Sequence, residues 1–192
     1  MLKFDRVSFS YGDKKILSDF SMTLQKGEIL AIMGASGFGK STILNLVAGL
    51  RQPDSGEITC NAERISYAFQ EPRLFPWMTA LDNVNAILSA KSDTLGTAKQ
   101  ALKTVGLTDS ALLFPSELSG GMKSRVSLAR AIAYGGDLYL LDEPFAALDE
   151  ETKTKIANGL RQHIKESGAS AIFVTHLRSD AELFADRILE LN

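Results

Sequence analysis

Gly34-Ala35-Ser36-Gly37-Phe38-Gly39-Lys40-Ser41 decides how this chain is read. The apolar run Ile29-Leu30-Ala31-Ile32-Met33 before it reads as a buried strand, and the stretch from Thr42 to Leu50 after it reads as a helix. A G-x-x-x-x-G-K-[ST] string between a strand and a helix is the context of a phosphate-binding loop. Its glycines let the backbone curl so that several N–H groups converge on one concavity. The helix behind adds the positive end of its dipole, which favours bound phosphate. Lys40 supplies a compact cation for the outer phosphates, and Ser41 supplies a hydroxyl for Mg²⁺.

The 192 residues are 45% apolar and carry a net charge of −2, enough for one sizeable core and fitting one domain with an inserted lobe. No long basic run is present, so charge gives no support for a nucleic-acid partner. The start, Met1-Leu2-Lys3-Phe4-Asp5-Arg6, alternates and is charged, unlike a signal peptide, and no apolar run approaches the ~18 residues of a membrane span. The single Cys60 excludes an internal disulfide and fits a reducing cytosol.

Working outward, residues 2–9 alternate as a half-buried strand, residues 11–14 read as a turn, and residues 16–24 as a second strand. Tyr11 in that turn either offers its ring to a nucleotide base or covers a sheet edge. Residues 57–60 and 64–69 read as further strands, the second ending at Gln70. The stretch Glu71-Pro72-Arg73-Leu74-Phe75-Pro76-Trp77-Met78 carries two prolines, which forbid a long helix or a central strand. Its large apolar side chains either pack beneath the loop or form an exposed patch for a partner.

From Thr79 to Tyr134 the texture is helical, with Leu81, Val84, Ile87 and Leu88 on one face and Ala98, Ala101, Leu102 and Val105 on another. Within it, Glu117-Leu118-Ser119-Gly120-Gly121-Met122 opens an amphipathic helix with Ser119 as its N-cap, a second place where a helix N-terminus faces outward. Residues 137–141 form a continuous apolar run suited to a parallel strand covered on both faces, and it ends in Asp142-Glu143-Pro144. Carboxylates at the carboxyl end of such a strand lie where open α/β sheets place ligands; one can hold the metal on a phosphate, the other can act on water. A helix over 150–166, a strand over 171–175 with His176 at its end, a short helix near 179–185 and a strand over 187–191 follow. His163, in mid-helix on a charged face, reads as solvated.

Along nearly its whole length the chain resembles the ATP-binding subunit of ATP-binding cassette (ABC) transporters. Gly34–Ser41 is similar to the Walker A loop, Gln70 to the Q-loop glutamine, and Leu118-Ser119-Gly120-Gly121-Met122 to the diagnostic signature motif. Leu138–Asp142 with Glu143 resembles Walker B and the catalytic glutamate, His176 the switch histidine, and Ala147-Leu148-Asp149 the dimer-interface loop that follows. Tyr11 falls where the family has its adenine-stacking aromatic. Four positions depart from the common pattern, namely Phe38, Met122, Ser124 and Ala146, and none removes a group with a chemical role.

The resemblance implies an α/β P-loop ATPase with a mostly parallel core sheet, an N-terminal antiparallel β subdomain and an inserted helical subdomain. Residues 1–70 and 135–192 would form the catalytic core with the β subdomain, and residues 71–134 the helical subdomain. It implies that Glu143, His176, Lys40 and Gln70 are catalytic. ATP would be bound by Tyr11, Gly34, Ala35, Ser36, Gly37, Phe38, Gly39, Lys40, Ser41 and Thr42, and by Ser119, Gly120 and Gly121 of a second copy; Mg²⁺ would be held by Ser41, Gln70 and Asp142. His176 would contact the γ-phosphate and link it to the loop around Asp149. Residues 69–77 and Met122 resemble the ATPases of nitrate, sulfonate, taurine and thiamine-precursor importers. That implies a transmembrane permease contacted through about Gln70–Met78, an extracytoplasmic solute-binding protein, no nucleic acid, and a cytoplasmic chain peripheral on the inner membrane face. A soluble ABC ATPase of a non-transport assembly machine is the alternative.

Overall fold

The computed structural model describes residues 1–35, 37–88, 93–146 and 148–191. Five strands form one parallel sheet: β3 (Ile29–Met33), β5 (Ile65–Ala68), β6 (Leu138–Asp142), β7 (Ser170–Thr175) and β8 (Arg187–Glu190), in the order β5-β6-β7-β3-β8. A second, antiparallel sheet has the order β2-β1-β4, with β1 Leu2–Tyr11, β2 Lys14–Leu24 and β4 Ser55–Cys60. The described residues also form six α-helices and two short 3-10 turns, the α-helices being α1 (Lys40–Val47), α2 (Ala80–Asn85), α3 (Thr94–Thr104), α4 (Gly120–Tyr134), α5 (Glu150–Glu166) and α6 (Arg178–Phe184).

The continuous apolar runs explain the parallel sheet. Alternate residues of a strand point to opposite faces, so a strand buried on both sides must be apolar at every position. Leu30, Ile32, Leu138, Leu140, Ile172 and Val174 pack on the face shared with α1 and the antiparallel sheet. Ile29, Ala31, Tyr139, Leu141, Ala171 and Phe173 pack on the other face, against α2 to α6. There Phe145, Phe173 and Phe184 meet edge to face at 5.0 to 6.2 Å, the geometry aromatic quadrupoles favour.

Some expected bounds shift. Tyr11 is not in a turn: it is the last residue of β1 and pairs with Lys14, because the hairpin closes more tightly than its sequence suggests. Helix α1 ends at Val47 with Ala48 as its C-cap rather than at Leu50. Ile87 and Leu88 lie beyond α2, whose buried residues are Ala80, Leu81, Asn83 and Val84. His163 is not solvated. It is half-buried, with Nε2 3.0 Å from the Tyr139 hydroxyl. Burial holds the His163 imidazole below its ordinary range and pushes the Tyr139 hydroxyl up to about 12. The sequence hid this because the partner is a core tyrosine on a strand remote in the chain.

Asn83 fixes the 71–79 loop. It is fully buried, accepts from Phe75 N at 2.8 Å, and donates to Phe75 O at 3.1 Å and to Met78 O and Thr79 O at 3.0 Å. Arg130 of α4 donates to the carbonyls of Pro72 and Arg73. Leu74 therefore packs against the core, while Phe75 and Trp77 are displayed with Trp77 70% exposed. Of the loop's large apolar side chains, Leu74 lies under it, Met78 is half-buried, and Phe75 and Trp77 are outside.

Candidate nucleotide site

The loop between β3 and α1 has the curl that phosphate binding requires. Gly39 is the N-cap of α1 with φ 86°, and a Cβ there would come within 2.5 Å of the Ile16 side chain. Only glycine combines that left-handed backbone with that approach. Gly37 is likewise left-handed at φ 86°. Lys40 is nearly buried and donates from Nζ to Gly34 O at 2.7 Å and Ala35 O at 2.9 Å, folding its cation back over its own loop. Ser36 and Ala147 lie outside the described residues.

Three carboxyl ends of the sheet converge here. Ser41 Oγ donates to Asp142 Oδ1 at 3.1 Å, joining the start of α1 to the end of β6. Burial pushes the Asp142 carboxyl up, with Glu143 adding to the rise while the Ser41 hydrogen bond and Lys40 oppose it. Glu143 takes a left-handed backbone, φ 49°, rare for a non-glycine residue. Its N–H donates to Val174 O at 3.1 Å, so β7 holds the strained turn in place. Its carboxylate is gripped from two sides: Gln70 Nε2, beyond the end of β5, donates at 3.4 Å, and His176 Nδ1, beyond the end of β7, lies 3.2 Å away. Because a carboxylate accepts only, Nδ1 is the protonated nitrogen when Glu143 is ionised.

A cavity of about 320 Å³ opens over these groups, lined by Tyr11, Lys14, Ile16, Gly37, Gly39, Lys40, Ser41, Thr42, Gln70 and Glu143. Tyr11 is half-exposed at its mouth. Phe38, expected among the loop contacts, lines a separate cavity with Ile16, Phe20 and Leu191 instead. Ser119 caps α4 and accepts from Met122 N at 3.2 Å. Ser119 and Gly120 are exposed, neither they nor Gly121 line the Lys40 cavity, and a side chain at Gly120 would meet nothing within 4 Å.

Residues 17–146 match the family described as ABC transporter. The chain belongs to the ABC transporter family. It is an ATPase cassette of that family. It is 40% identical over 190 residues, 95% of this chain and 69% of the relative, to the aliphatic sulfonates import ATP-binding protein SsuB 2 of Pseudomonas aeruginosa. It is 38% identical over 196 residues, 93% of this chain and 55% of the relative, to an Fe(3+) ions import ATP-binding protein of Haemophilus influenzae. A dimeric structure of a post-hydrolysis state of an ATP-binding cassette bound to ADP and Pi superposes with TM-score 0.90 at 30% identity, covering 100% of this chain and 94% of that one.

Sequence reasoning missed the residues that brace this ABC site. Tyr67 of β5 donates from its hydroxyl to Asn45 Oδ1 of α1 at 3.2 Å, and burial together with the Asp142 charge pushes that hydroxyl well above its ordinary range. Tyr67 stacks on Phe69 at 3.8 Å, and the Arg73 guanidinium lies 5.0 Å from the Phe69 ring centre. The alternation of Tyr67 and Phe69 across the end of β5 was the one available signal.

The raised Asp142 carboxyl yields a prediction with a definite sign. An acid whose folded pKa exceeds its unfolded value costs stability as pH rises through the usual carboxylate range. Asp142→Asn should therefore raise the melting temperature of the ligand-free chain at pH 7 by about 2–4 °C, corresponding to ~1 kcal/mol. The gain should shrink toward pH 4, as the parent carboxyl takes up its proton. Calorimetry at the two pH values checks this; a variant no more stable than the parent at pH 7 contradicts it.

Proposed function

We propose that this chain is the ATP-hydrolysing subunit of an import system and works as a pair of copies. The observation that carries the reading is the grip on Glu143. Gln70 and His176 hold its carboxylate beside the Lys40 cavity, where a water attacking a bound terminal phosphate could lose its proton to it. Lys40 and the N-terminus of α1 offset phosphate charge, and the curled loop of residues 34–41 offers its N–H groups. Tyr11 stacks the base.

The donor set at Ser41 and Asp142 fits Mg²⁺: a hydroxyl and a buried carboxylate, both hard oxygens, already 3.1 Å apart. With Gln70 they would hold the ion, which supplies charge neutralisation between the outer phosphates. Ser119, Gly120 and Gly121 of the partner subunit close the site with the N-terminus of their α4. The surface they present within one chain is open, and a two-fold pair uses the same two patches twice. ATP then bridges the copies, and its hydrolysis releases them. In this reading residues 71–134 move as the lobe that carries the signature.

The names of the relatives, sulfonate and Fe(3+) import ATP-binding proteins, support import as the work done. Among the described residues no helix is long and apolar enough to cross a membrane, and in this reading separate membrane subunits carry the solute. The chain sits on their cytoplasmic face, with a solute-binding protein on the other side. The Phe75–Trp77 knob, its rings 5.7 Å apart and its backbone pinned by Asn83, is the grip. Trp77 is the sole tryptophan. Its emission should shift to the blue when solubilised permease from the same import system is added, and Trp77→Ala should weaken assembly. Unshifted emission together with intact assembly of the variant contradicts the docking reading.

A further inference from the structure

Tyr11 is held on more than one side, and one of the groups holding it has no part in the scheme above. Phe9 meets the ring at 4.8 Å between centroids with the planes at 88°. Arg51, four residues beyond the end of α1, places its guanidinium carbon 5.6 Å from the centre of the Tyr11 ring. A cation within about 6 Å of an aromatic face is attracted by the ring quadrupole. Among the described residues no carboxylate lies within 4.0 Å of Arg51, so the ring is its partner.

The segment bearing Arg51 is anchored at both ends. Leu50 N and Arg51 N donate to Asn45 O of α1, at 2.9 and 3.3 Å, and Asp54 N donates to Ser8 O of β1 at 2.8 Å. Tyr11 lines the cavity over Lys40, and Arg51 does not; Arg51 lines the neighbouring cavity of about 520 Å³ with Ser41 and Asp142. The guanidinium thus contacts the ring without itself lining the cavity over Lys40.

We propose that Arg51 is a positioning residue for the nucleotide base: its cation–π contact with Tyr11 holds the ring in its stacking orientation before the base arrives. The proposal rests on reading Tyr11 as the base platform. A half-exposed tyrosine that must be ordered on binding weakens the complex, and ordering it in advance removes that loss. Arg51 acts through the ring, so its effect belongs to ligands that carry a base and not to a bare triphosphate chain. A lysine keeps the cation but not the flat guanidinium, so it retains part of the effect.

The test measures dissociation constants for ATP and for inorganic tripolyphosphate, both with Mg²⁺, by competition against labelled ATP. Arg51→Gln should weaken ATP about two- to five-fold and leave tripolyphosphate unchanged, with Arg51→Lys in between. Adding Arg51→Gln to Tyr11→Ala should cost nothing further. Equal weakening of both ligands by Arg51→Gln overturns the proposal, and so does unchanged ATP affinity in Arg51→Gln while Tyr11→Ala weakens it. If Tyr11→Ala leaves the ratio of ATP to tripolyphosphate affinity at the parent value, the base platform itself fails and the role of Arg51 falls with it.

Discussion

Glu143→Gln lowers ATP turnover by about a hundred- to ten-thousand-fold, the range lost with a positioned general base, while ATP still binds. The substitution keeps the shape of the side chain and the left-handed backbone that β7 enforces through Val174 O. It also keeps an oxygen for Gln70 to donate to. What it removes is the capacity to accept a proton from water. With hydrolysis proposed as the step that opens the pair, the variant should accumulate as a dimer in Mg-ATP and return to monomer when nucleotide is removed. Light scattering with and without Mg-ATP reads the mass directly. Parent-like turnover removes Glu143 from the catalytic role, and lost turnover with lost ATP binding makes its role structural.

Lys40→Ala acts earlier. Its ammonium lies over the curl of the loop, held by Gly34 O and Ala35 O, and it is a fixed cation in the lining of the cavity. Without it, ATP affinity should fall about 10- to 100-fold, a charge-assisted contact of ~1.4–2.8 kcal/mol. The fold should be retained, because Gly34 is only half-buried and Ala35 exposed, so the two carbonyls it leaves can bond water. A titration monitoring nucleotide binding, with a melting curve as control, checks both halves. Undiminished affinity contradicts the assignment of residues 34–41 as the phosphate site.

Much of this was legible in the sequence, and the reason is physical. The strands β3, β6 and β7 are covered on both faces, so their apolar runs are continuous and their ends easy to find; Asp142, Glu143 and His176 stand at those ends. Helices α4 and α5 announce themselves by caps, Ser119 accepting from Met122 N and Asp149 from Thr152 N. What was hidden depends on partners distant in the chain. His163 looks solvated until Tyr139 is seen beneath it, and Asn83 looks like an ordinary helix residue until its bonds to the 75–79 loop are counted. Tyr11 was placed by its neighbours in sequence, whereas the pairing with Lys14 and the approach of Arg51 decide its setting.

The central claim is that the phosphate loop of one chain is half a site, completed by the signature of a second copy. Mixing two inactive variants tests it most directly. Lys40→Ala disables the loop. Gly120→Asp fits the open space at the start of α4 and turns a carboxylate toward the incoming phosphates. Each alone should be inactive, since every site in either homodimer lacks one half. An equal mixture should regain roughly a quarter of the parent activity, because about half of the pairs are mixed and each mixed pair has one intact site of two. Parent-like turnover by Gly120→Asp alone, or a mixture no more active than its components at every ratio, contradicts a site shared between two chains.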